Sequence, residues 1–202
     1  MSNNHSLRNR LLLSLPCAAS LLLLPQALTS AQQAAPSANE RPPSEIAPRG
    51  QRSLARQIKY GDWQKFCFRT PGAKQVCRTT ISGNLDTGQL AIRADLIERD
   101  GDGSARLQLF LPVGMYLRAG VKLTVDQGQP HQLPFVWCLT NACIAADVAD
   151  AALIREMELG RNLQLELVDS GVQSVSTILP IDQFASVRRS APAQTFEQYI
   201  NE

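Results

Sequence analysis

Histidine is almost absent from this 202-residue chain: His5 and His131 are the only two, and His5 stands at the extreme N-terminus. No metal site built on paired imidazoles can therefore form from one copy of the chain. Equally missing are a Gly-x-Ser-x-Gly elbow, a Gly-x-x-x-x-Gly-Lys phosphate cradle and a dinucleotide-binding glycine fingerprint. A Ser–His–Asp arrangement would have to use His131, which sits between Pro130 and Gln132 beside an expected turn and reads as a solvated loop residue. Charge of one sign is also lacking, with 20 basic against 18 acidic side chains. A grip on nucleic acid or anionic lipid needs a basic excess on one face, and the composition offers none. No apolar run reaches the roughly 20 residues of a membrane-spanning helix. The expectation is thus no cofactor, no metal, no nucleic acid and no catalytic residue.

What is present begins with a leader. Arg8 and Arg10 precede the apolar stretches Leu11 to Leu15 and Leu21 to Leu24, interrupted by Pro16 and small residues, and Thr29-Ser30-Ala31 offers small side chains for cleavage. This is the pattern of a secretory signal over 1–31. Cys17 follows Ser14-Leu15-Pro16, which is not a lipobox, and is expected to leave with the signal. Cleavage after Ala31 would remove two arginines and no acid, leaving 18 basic and 18 acidic residues on the remaining 171 (202 minus 31). Residues 32–56, rich in Gln, Ala, Pro and Ser, read as an extended linker, and its four arginines as solvating charge.

Beyond the linker, short runs alternate apolar and polar residues between turn formers, which is how half-buried strands look in sequence. Leu107, Leu109 and Leu111 form one such run, Val121, Leu123 and Val125 a second, and Leu163, Leu165 and Leu167 a third. Further strands are expected at Trp63–Arg69, Gln75–Ser82, Leu90–Glu98, Leu133–Cys138 and Val175–Ile181, with Asp100-Gly101-Asp102-Gly103 as a hairpin turn. One helix is expected, from Asp150 as N-cap to a stop at Gly160. The fold class that follows is mainly β, an antiparallel sandwich or barrel-like domain over 57–190 with one short helix. The tail 191–202 has a faint helical look.

Four cysteines lie beyond the leader: Cys67, Cys77, Cys138 and Cys143. In an oxidising compartment they make two disulfides. A hairpin centred on Gly72 sets Cys67 opposite Cys77, and Cys138 and Cys143 then close the short loop between them. Redox exchange is disfavoured because four residues, not two, separate the second pair, and four-thiolate zinc by the same spacing. The carboxylate pairs Asp100/Asp102 and Glu156/Glu158 read as solvated charge, and Asp86 and the Asp100–Asp102 turn as weak calcium candidates without further ligands. Trp63, Phe66, Phe68, Tyr116, Phe135 and Trp137 could form a binding face, although packing over the neighbouring disulfides makes core the expectation for Trp63 and Trp137.

Several segments together resemble the invasion-associated locus B family of bacterial envelope proteins. They are Tyr60-Gly61-Asp62-Trp63, the run Leu111-Pro112-Val113-Gly114 through Gly120-Val121, Val125-Asp126-Gln127-Gly128, and Leu133-Pro134-Phe135 through Cys138 to Cys143. Leu179-Pro180-Ile181 followed by Phe184 is similar to that family's closing strand. Thr140 and Ala142 stand where the family carries proline and glycine. The resemblance implies an exported β domain of the periplasm, associated with the outer membrane, that acts without catalysis through an envelope or host protein. Some relatives are linked to host-cell entry. A periplasmic hydrolase or thiol-disulfide enzyme and a structural or stress-related envelope factor are the alternatives.

Overall fold

The computed structural model describes residues 48–53 and 58–198, so the expected leader and most of the linker lie outside the described residues. Thirteen strands occur among them: β1 Gln51–Ser53, β2 Lys59–Tyr60, β3 Gln64–Arg69, β4 Val76–Asn84, β5 Leu90–Arg99, β6 Ala105–Leu111, β7 Val121–Val125, β8 Pro130–Leu133, β9 Phe135–Cys138, β10 Cys143–Ala149, β11 Asn162–Val168, β12 Ser174–Pro180 and β13 Gln194–Glu197. A five-stranded sheet runs β1-β12-β11-β7-β8, and a larger one runs β13-β3-β4-β5-β6-β10-β9 with β2 paired to β4. The two sheets bury Leu163, Leu165, Leu123 and Leu179 from one side against Leu96, Leu107, Leu109 and Ile81 from the other. This is the expected mainly β, sandwich-like architecture.

Local chemistry explains the junctions. Gly101, at φ +74°, lets β5 turn directly into β6. Pro134 separates β8 from β9, so the run expected as one strand is two. Lacking an N–H, proline cannot continue the ladder, and here the chain passes from the smaller sheet to the larger. The helix α1, Ala151–Leu159, starts where expected: the Asp150 carboxylate accepts from the Leu153 N–H at 2.8 Å. Leu153 and Met157 turn its apolar side into the core.

Three elements differ from expectation. A second helix, α2 Phe184–Arg189, follows β12 and buries Phe184 against Trp63, ring centroids 5.0 Å apart. The tail is strand rather than helix, because β13 pairs in parallel with β3. The linker is not bare to its end: its residues Gln51–Ser53 pair in parallel with β12. All three depend on partners far away in sequence, which no local propensity reports.

Candidate interaction face

Both expected disulfides are formed, Cys67–Cys77 and Cys138–Cys143, with Cα atoms 4.0 and 3.9 Å apart. Each joins residues directly opposite on antiparallel neighbours, the close approach of a non-hydrogen-bonded pair. The short loop of the second pair is closed by the Leu139 N–H donating to Ala142 C=O at 2.7 Å. Only Asp126 and Val172 are non-glycine residues of positive φ among the described residues, so Ala142 carries no left-handed strain.

The segments that carried the resemblance turn out to be framework. Trp63 is buried, its Nε1 donating to Pro180 C=O at 2.8 Å, while Asp62 accepts from Gln183 Nε2 at 3.2 Å and Gly61 N–H donates to Ser82 C=O. Asp126, at φ +47°, accepts from the Arg161 and Asn162 N–H groups at 3.1 and 3.0 Å, and Gly128 N–H closes the same turn onto Val125 C=O. Gly120 has φ +64° and lies so near Leu133 that a Cβ would meet its carbonyl oxygen at 2.7 Å. Pro112 and Gly114 shape the loop after β6, Gly114 at φ +87°, and Pro134 C=O accepts from Ala146 N–H. Phe135 packs against the core.

The polar candidates resolve into pairs. His131 is not in a loop: it lies in β8, with Nε2 3.2 Å from Glu156 Oε2 on α1. Glu156 and Glu158, expected as solvated, are both paired. The Arg188 guanidinium bridges Glu158 and Glu98 at 2.7 Å each, and Arg189 also binds Glu158. The hydrogen bond from Arg189, opposed by burial and aided by Arg188, holds the Glu158 carboxyl below its ordinary range. Asp86 pairs with Lys59, and Asp102 with Lys74. Among the described residues no three His, Cys, Asp or Glu side chains gather into a group that could hold a metal ion.

The outer face of the larger sheet carries Phe66, Phe68 and Trp137, three of the aromatic residues offered above as a binding face, together with Phe110, Phe196 and arginines that the sequence did not single out. The smaller sheet has a mostly polar exterior, with Lys122, Thr124, Gln164, Glu166 and Ser176, and Ile178 as an exposed apolar residue beside Gln164. In the larger one the strand register sets Phe66, Arg78, Ile97, Arg106 and Val148 in one row. A second row runs Ser82, Arg93, Phe110, Ile144 and Trp137. Phe68 and Phe196 stack at 5.3 Å on the β13 edge. Four of the chain's six phenylalanines thus lie on a solvent-side face.

Arginines lie over these rings. The Arg93 guanidinium is 3.6 Å from the Phe110 centroid, and that of Arg78 is 6.0 and 5.7 Å from those of Phe66 and Phe68. Between the rows Asp95, 1% exposed, accepts from the Thr80 hydroxyl and sits 3.2 Å from Arg93 Nε. Trp137, expected in the core, is 61% exposed. The cause is a bulge: Ala145 opposes Phe135 while Ile144 opposes Trp137, so Val136 is the extra residue that sends one ring inward and the other outward. At the other edge a groove of about 530 Å3 runs past Phe68, Lys74, Val76 and Arg99. Between the sheets, near the second disulfide, lies an apolar cavity of about 210 Å3 bordered by Leu90, Leu111, Val113 and Met115.

A two-sheet β domain stapled by two disulfides belongs to the class of proteins that fold in an oxidising, extracytoplasmic compartment. No helix among the described residues is long and apolar enough to cross a membrane. The model of the invasion associated locus B (IalB) protein family matches residues 63–191, and the chain belongs to that family. An invasion protein B homolog of Brucella abortus strain 2308 is 27% identical over 109 residues, 54% of this chain and 62% of the relative, and one from biovar 1 strain 9-941 gives the same figures. The chain therefore spans less than two thirds of those relatives' length. The crystal structure of invasion associated protein B from Bartonella henselae superposes with a TM-score of 0.58 at 21% identity, covering 65% of this chain and 91% of that one. The fold is shared.

Proposed function

We propose that this protein is an exported, non-enzymatic binding domain of the cell envelope, periplasmic and associated with the outer membrane, and that it holds a protein partner on the outer face of its larger sheet. The observation that carries the reading is the composition of that face. Interface centres are enriched in aromatic residues and arginine and depleted in lysine and glutamate. The outer rows hold Phe66, Phe68, Phe110, Phe196 and Trp137 with Arg78, Arg93 and Arg106, and neither a lysine nor a glutamate. Six strand spacings of about 4.8 Å and six residues of about 3.3 Å give the face a plane of roughly 600 Å2, near the ~800 Å2 per partner of a standard interface.

The test is site-specific photo-crosslinking of the full chain in whole cells. A benzophenone side chain at Val148 or Trp137 is expected to capture a defined protein, and one at Lys122 or Thr124, on the smaller sheet, is not. Equal capture from both sheets, or none from Val148, would overturn the assignment.

A further inference from the structure

Resting on the outer-face reading above, we infer that the partner presents an acidic protein surface, with carboxylates that meet Arg78 and Arg106 and apolar side chains that fill the positions between them. The neutral total charge of the chain hides this. On the outer rows the charged groups are Arg78, Arg93, Arg99 and Arg106 against Asp95 alone. Asp95 is already engaged by Thr80 and Arg93, and Arg99 is shared with Asp102 at 3.6 Å. Arg78 and Arg106 make no ion pair among the described residues.

Their setting suits a carboxylate. A guanidinium lying over phenyl rings keeps its in-plane N–H fork free, and the rings hold it in place, so less rotamer entropy is lost when an anion binds bidentately. Phe66 and Phe68 hold Arg78 in this way, with its Nε buried and unpartnered, so its two terminal nitrogens are the ones left to meet a carboxylate. Arg78 and Arg106 stand two strands apart, roughly 10 Å, with Ile97 directly between them. The row therefore alternates apolar, cation, apolar, cation, apolar from Phe66 to Val148.

That alternation chooses among partners. A sulfated polysaccharide or a nucleic-acid backbone gains from uninterrupted cations and leaves the three apolar positions unused. A second copy of this chain would set arginine against arginine, which costs free energy at an interface. A protein surface of mixed acidic and apolar side chains uses all five positions.

The experiment is the Val148 crosslink repeated in whole cells with Arg78→Gln and Arg106→Gln together. Capture is expected to fall at least tenfold, while the purified double variant keeps its thermal midpoint within a few degrees. Arg78→Lys with Arg106→Lys should recover part of the capture, because the charge returns without the fork. The captured adduct should be sensitive to protease and its crosslinked segment rich in Asp and Glu. Undiminished capture by the folded double glutamine variant, a protease-resistant adduct, or an adduct with the chain itself would overturn the inference while leaving an outer-face contact standing. Failure of the parent Val148 probe to capture anything would sink the outer-face reading itself.

Discussion

Gly120 and Gly114 both hold positive φ, +64° and +87°, yet alanine should cost very different amounts at the two. At Gly114 nothing lies within 4 Å of an added methyl, so only the backbone strain counts, about 1 kcal/mol. At Gly120, where ψ is −161° and the backbone occupies a region nearly closed to side chains, a strain at least as large is joined by a methyl 2.7 Å from the Leu133 carbonyl oxygen and 2.7 Å from Gln132 Nε2. The glutamine amide can swing away, but the carbonyl belongs to β8 and moves only with the strand. Overpacking of this kind adds roughly 1–3 kcal/mol, so the total for Gly120→Ala is about 3 kcal/mol. For a domain of this size that lowers Tm by about 10 °C, against about 3–4 °C for Gly114→Ala. Urea unfolding of the oxidised domain, followed by far-UV circular dichroism, measures both. If Gly120→Ala proves no worse than Gly114→Ala, the close approach of β8 to this turn is not what fixes the glycine, and the framework reading of that segment fails.

Other perturbations follow from the same contacts. Trp63→Phe removes the 2.8 Å bond to Pro180 C=O and should cost about 1–2 kcal/mol in urea; a neutral result would place that carbonyl in water. Replacing Cys67 and Cys77 by alanine should destabilise by about 2.7 kcal/mol through chain entropy and Cys138 with Cys143 by about 2, since the closed segments differ in length; the reverse order would refute it. Val172 is a β-branched residue at φ +59°, so Val172→Asn should stabilise by roughly 1 kcal/mol, read as a rise in Tm. Glu158 has a folded pKa below its ordinary 4.5, so its contribution is complete above that value and is lost as pH falls through the lower folded value. Glu158→Gln should therefore be less stable than the parent at pH 7 and converge with it at low pH; parallel stability curves would contradict the pairing.

The period-two runs were the most legible part of the chain. Val121–Val125 has the bounds its alternation implies, and Asp150 and Gly160 bracket the helix because capping chemistry is local. The strand β10 gave no such signal: Cys143, Ile144, Ala145 and Ala146 are all buried, so its two faces do not differ in polarity. The helix α2 is equally silent, since Gln183 makes no side-chain cap. Phe66 and Phe68 alternate with Cys67 plainly enough, but alternation does not say which side is the core. Burial of Cys67 with Cys77 settles it, and turns the phenylalanines outward. The basic face escaped for a related reason. Arg78, Arg93 and Arg106 are scattered in sequence and meet only through the register of three strands.

The framework and the outer rows of the larger sheet are built from different residues. Gly61, Asp62, Trp63, Gly120, Asp126 and Gly128 hold turns, junctions and the inner packing, whereas Arg78, Arg106, Val148 and Trp137 lie on the outer side of the larger sheet. The two sets touch at one place. Pro134 ends the smaller sheet and the Val136 bulge begins β9, so the segment that closes the sandwich also aims Trp137 at solvent. A family signature centred on that segment reports that the sandwich closes. It carries no information about the outer rows, whose arginines lie on the side of the strands that faces away from the inner packing. Under the function proposed above, the partner is therefore to be sought on that face rather than in the signature.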